Sequence, residues 1–147
     1  MSDISISKTS LWLHWLVAVV VIVMLCVGVY MHETKTYSLY PIHKSVGLIA
    51  LVLVSWRFVW RMVEGFFAPA SEHKFYERVL ARITHWVLLL GSLLMPISGV
   101  VMSVAGGKGL AFFGLSLVAP NINPLDPTKT KALNETLAGI AHSGHGI

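Results

Sequence analysis

From Leu11 to Met31 only one side chain ionises near neutral pH, and that is His14, one turn into the run. About 20 apolar residues cross the ~30 Å hydrocarbon core as a helix, so this run predicts a first membrane span. It is longer than a signal peptide's apolar region, and no small-residue cleavage pattern follows, which marks it as a retained span. A second apolar run, about Ser45–Val63, is clean to Trp56. It then meets Arg57 and Arg61, one turn apart, where long basic side chains reach the headgroups. The third run, about Ile83–Ala105, contains Pro96 three residues before Gly99, which predicts a bend that neighbouring helices compensate.

Between spans two and three, Gly65 and Pro69 predict a break and Ser71 a helix cap. In "SEHKFYERVLARI", Phe75, Val79 and Ile83 recur at helical spacing. That predicts an amphipathic segment lying at the surface before the chain turns inward. "AGGKGLAFFGLSLVAPNINPLDPTKTK" is rich in glycine and proline and reads as a long loop. Ala132–Ala141 starts a fourth helix, and the chain stops at Ile147 before that helix could span. The pattern is all-α: an up-and-down membrane helical bundle with three spans and the start of a fourth, one domain over residues 1–147.

Composition sharpens this. The 147 residues are 55% hydrophobic and 12% charged, against about 25% charged in soluble domains. The net charge of +4 contains no basic run, so nucleic acid is not the expected partner; basic residues at helix ends suit anionic lipid surfaces instead. One cysteine excludes an intrachain disulfide. All four arginines (Arg57, Arg61, Arg78, Arg82) fall on the side where spans one and three begin, which predicts a cytoplasmic N-terminus. All five tryptophans fall on that side as well, as an interfacial belt.

Each helix begins with one histidine. His14 and His85 enter spans one and three from the inside; His43 and His142 enter span two and the fourth segment from the outside. A single such histidine is readily a headgroup contact, but four at matched depths point to function. Imidazole is the commonest side-chain ligand for metals and haem iron. Bis-imidazole haem needs two histidines on different helices at one depth, with small residues making room for the ring. Gly47 lies one turn after His43. Gly28 and Gly99 follow His14 and His85 by fourteen residues, about 21 Å along the same face, at the opposite membrane surface. Two stacked haems would meet this pattern. His145, three residues after His142, is an alternative to it. Lys44 and Lys108 adjoin these motifs and are candidates for steering a small anion toward the outer surface.

The chain resembles the bacterial cytochrome b561 family. The residues that carry the likeness are "LHW" at Leu13–Trp15, "HKSVG" at His43–Gly47, "RFVWR" at Arg57–Arg61, "THW" at Thr84–Trp86 with "PISG" beyond, "GGKGLAFFG" at Gly106–Gly114, and "LAGIAH" at Leu137–His142. The resemblance implies a four-helix bacterial inner-membrane cytochrome. It would carry electrons across the membrane through two haem b groups, linked to quinone, with superoxide as donor in some members. It implies His43 and His142 as ligands of the outer haem iron and His14 as one ligand of the inner. The family's second inner ligand lies fourteen residues after the position of His142, beyond Ile147. The chain is therefore expected to be truncated and to hold fewer than two haems, unless His85 is the substitute ligand; otherwise His85 belongs near the inner haem or a quinone site. The partners implied are membrane lipid, quinone and an unidentified electron donor. A haem-containing membrane anchor subunit that docks a separate redox partner is the alternative reading. A histidine-lined metal transporter is less suited, since no Asp or Glu lies inside the spans read here.

Overall fold

The computed structural model describes residues 7–64 and 75–145. Three helices are long and apolar enough to cross a membrane: α1 (Lys8–Thr34), α2 (Tyr40–Glu64, entered through a short 3-10 turn at Tyr37–Leu39) and α3 (Phe75–Ala105). A shorter α4 (Glu135–His145) packs along α3. The Gly65–Pro69 break and the Ser71 cap expected from the sequence lie outside the described residues.

Ser7 caps α1 by accepting a hydrogen bond from the Ser10 amide at 3.1 Å, and it also donates to the Glu64 carboxylate. The start of α1 is thereby tied to the end of α2, as up-and-down packing requires. The shared core is Leu13 and Val17 of α1 with Val54 of α2, packed by Leu53, Trp60 and Leu93. Most other large apolar side chains on the spans are exposed, including Val23, Val52, Leu88 and Leu94. That is the signature of helices whose outer faces meet lipid rather than water.

Two elements differ from the sequence expectation. The amphipathic segment from Phe75 is not a separate surface helix but the first turns of the 31-residue α3. No Gly or Pro intervenes between Phe75 and Ile83, so extending a helix already nucleated adds a hydrogen bond per residue at little cost. At 31 residues α3 is about 46 Å long, more than the ~30 Å hydrocarbon core needs.

The long loop is also ordered. It forms two antiparallel hairpins, β1 (Leu110–Phe112) with β2 (Leu115–Val118), and β3 (Ile122–Asn123) with β4 (Asp126–Thr130). The chain reaches them through a glycine stop. Gly107 is left-handed (φ 72°), its N–H bonds the Val104 carbonyl, and the Lys108 N–H bonds the Ser103 carbonyl, each at 3.0 Å. A β-carbon on Gly107 would collide with the Lys131 carbonyl where the chain returns. The Ala105 carbonyl then accepts from Leu133 and Asn134 N–H, and the Asn134 side chain caps α4 at the Leu137 amide. These bonds set the rotation of α4 against α3.

Candidate functional site

The histidines sort to the two ends of the bundle. His43, in the first turn of α2, is half-buried. On α4 the residue that meets it is His145: the two ring centroids are 6.3 Å apart and the planes cross at 74°. His142, one turn earlier, is exposed, and its Nδ1 lies 3.4 Å from the Met102 sulfur. The structure therefore brings together His43 and His145, and it does not bring His142 to His43. The sequence holds both histidines one turn apart. The bonds that anchor the start of α4 to Ala105 and the contact of His145 with the Met95 carbonyl hold the helix with His145 inward.

The His145 ring is held in a defined state. Its Nδ1 lies 2.8 Å from the Met95 carbonyl, which can only accept, so Nδ1 carries the proton and donates. In the neutral ring this leaves the Nε2 lone pair free, the arrangement that a carbonyl accepting from the other ring nitrogen imposes on metal-ligating imidazoles. Ser98 Oγ is 3.2 Å from the same nitrogen and donates to Met95 at 2.7 Å. His43 Nδ1 is buried and has no hydrogen-bond partner among the described residues.

Glycines make the room around both rings. A β-carbon on Gly28 of α1 would lie 3.7 Å from His43 Cε1, and one on Gly99 of α3 would lie 2.8 Å from His145 Cε1. Each of the four helices thus contributes one residue at this level, two histidines and two glycines. Gly47 faces Met24 of α1, where a β-carbon would meet Met24 Cε at 3.6 Å, so it serves the approach of α1 and α2. Lys44 donates to the Gly109 carbonyl at 3.3 Å and lies within electrostatic reach of Lys108.

At the other end, His14 is exposed and His85 half-buried. His85 lies within electrostatic reach of Arg61, Arg57 and His14, so the pair expected from the sequence shares one end of the bundle, beside two arginines.

Would a bis-imidazole haem suit the His43 end? Imidazole nitrogens bind transition metals at about 2.0–2.1 Å. With the ring centroid about 1 Å behind the nitrogen, two imidazoles on opposite sides of one metal have centroids about 6 Å apart, and the rings stand 6.3 Å apart. Among the described residues no three His, Cys, Asp or Glu side chains converge, so the donor set is a pair, as an axially ligated haem requires. The spacing and the buried unpaired nitrogen of His43 fit that group, and Gly28 and Gly99 leave room for the two rings themselves.

The model of a family described as prokaryotic cytochrome b561 matches residues 6–147. Among curated proteins, cytochrome b561 homolog 2 of Escherichia coli (strain K12) is 30% identical over 106 residues, 69% of this chain. The match covers 56% of the length of that relative.

Proposed function

Since the chain belongs to the prokaryotic cytochrome b561 family, as a multi-pass bacterial membrane protein, we propose that it is a b-type cytochrome that passes electrons across the membrane to a quinone. The observation that carries the reading is the His43–His145 pair, with ring centroids 6.3 Å apart and Gly28 and Gly99 beside the two rings.

When bound there, haem supplies a one-electron iron couple. The chain's own residues do the rest. His43 and His145 would hold the haem iron, and the Met95 carbonyl keeps the His145 proton on Nδ1. Gly28 leaves room beside the His43 ring, and Gly99 lets the His145 ring pack against α3. At the other end His14 would be a ligand of a second haem. His85 would be its partner or, with Arg57 and Arg61, would hydrogen-bond a quinone oxygen. Lys44 and Lys108 would raise the encounter rate of an anionic donor at the His43 mouth, an effect that salt weakens. Four arginines near the His14 end support a cytoplasmic N-terminus in the bacterial inner membrane.

The experiment is a reduced-minus-oxidised spectrum of the protein purified in detergent, followed by electron delivery to a soluble quinone analogue with no other protein present. Sharp b-haem bands and quinone reduction are expected. A spectrum without haem bands refutes the cytochrome, and haem bands without quinone reduction favour an anchor subunit that serves a separate redox partner.

A further inference from the structure

The hairpin β1–β2 takes no part in the His43–His145 pair and packs against the start of α2. Its turn is the pair Phe113–Gly114, both left-handed (φ 44° and 91°), the two-residue turn that matches strand twist. Such turns favour Asn, Asp or Gly at the first position; a bulky residue with positive φ is an outlier that needs a compensating gain.

The Phe113 N–H donates to Ser45 Oγ at 2.9 Å, and Ser45 Oγ donates to the Pro41 carbonyl at 2.8 Å. Ser45 is 1% exposed. It lies five residues beyond Tyr40, about 7 Å along the axis of α2, where the apolar run of the span begins. The tip of the hairpin therefore packs beside α2 where the apolar run of the span begins. On the same stripe of α2, Ile42, Ile49 and Val52 are exposed and face lipid.

Non-helical backbone survives at membrane depth only where protein groups satisfy it, and Ser45 does this for Phe113. The side chains at the tip show the complementary feature: Phe113 is 62% and Leu115 66% exposed. In water these would be an unexplained apolar projection from a strained turn. Continuous with the lipid-facing stripe of α2, they have a partner.

We infer that the Phe113–Leu115 tip is an interfacial anchor that inserts into the acyl chains of the leaflet at the His43 end. Lipid is its occupant, and Lys44 and Lys108 stand near the depth of the phosphates. The insertion clamps β1 against the first turns of α2, next to His43.

The test uses the full chain with Cys26→Ser, carrying an environment-sensitive fluorophore at Phe113→Cys or, separately, at Leu115→Cys. Lys129→Cys on the charged second hairpin is the control. The proteins are reconstituted in phosphatidylcholine vesicles and quenched with aqueous iodide or with lipid spin-labelled near the headgroup. At 113 and 115 the emission should be blue-shifted, with spin-labelled lipid quenching several-fold more than iodide, the reverse of the order at 129. Iodide quenching equal to that at 129 would overturn the inference and place the tip in water. Protection from both quenchers would overturn it in favour of a protein contact. Agreement of the two sites separates the result from any local misfolding caused by losing Phe113.

Discussion

Replacing Gly99 by alanine puts a methyl group where the His145 ring now packs. The new carbon would lie 2.8 Å from Cε1 and 3.2 Å from each ring nitrogen. The backbone of α3 cannot yield cheaply, so the imidazole must move. Moving it breaks or stretches the 2.8 Å bond from Nδ1 to the Met95 carbonyl, worth about 0.5–1.5 kcal/mol. Turning the ring off its rotamer costs about 0.5–1.5 kcal/mol more. The sum, about 1–3 kcal/mol, corresponds to roughly 5- to 150-fold weaker haem binding at the His43 end. Helix propensity changes the other way: alanine in a helix interior gains about 0.5–1 kcal/mol over glycine. The helix should therefore hold its thermal stability while the site loses affinity. Gly91→Ala is the matched control, since nothing lies within 4 Å of a β-carbon there. Haem-to-protein ratio and haem midpoint potential, measured on both variants, provide the assay. Equal haem content and equal potentials in Gly99→Ala and Gly91→Ala would refute the reasoning.

Two further outcomes follow from the hairpins. Ser45→Ala leaves the Phe113 N–H without its acceptor, a loss of about 1–3 kcal/mol; amide exchange at Phe113 should quicken roughly 5- to 150-fold while the amides of mid-α2 stay unchanged, and an unaltered rate would show that the bond holds nothing in place. Asp126 is held below the usual carboxylate range by the Thr128 hydroxyl, then by Lys129 and the Thr128 N–H. Because its folded value is depressed, the stability it lends the β3–β4 turn is present above the unfolded value of about 3.9 and is lost as pH falls through the depressed one. The Thr128 and Lys129 amide resonances should titrate with a midpoint below that of an unstructured aspartate, and a midpoint at or above it would contradict the assignment.

The three spans were readable in the sequence because twenty apolar residues in a row have few other uses. The histidine at the start of each helix was readable for the same reason: a polar group is conspicuous against such a background. The spacing of Gly28 and Gly99 from His14 and His85 also pointed to small residues facing the opposite histidine level, where they now lie beside His43 and His145. The hairpins were hidden because their strands run only two to five residues. They turn on Phe113–Gly114 and Pro124–Leu125 rather than on Asn-Gly or Asp-Gly. The continuity of α3 was hidden by an amphipathic pattern that suits an interfacial helix and an extended span end equally well. The choice between His142 and His145 depends on how α4 is rotated. That rotation rests on backbone bonds to Ala105 from Leu133 and Asn134, which leave no trace in hydropathy or spacing.

The pairing of His43 with His145 is tested most directly by haem content and the low-spin haem spectrum in three single variants: His43→Leu, His145→Leu and His142→Leu. The first two should lose the haem of that end with helix content retained, and His142→Leu, which removes the contact to the Met102 sulfur, should keep it. Loss of that haem in His142→Leu with full retention in His145→Leu would make His142 the ligand and overturn the pairing.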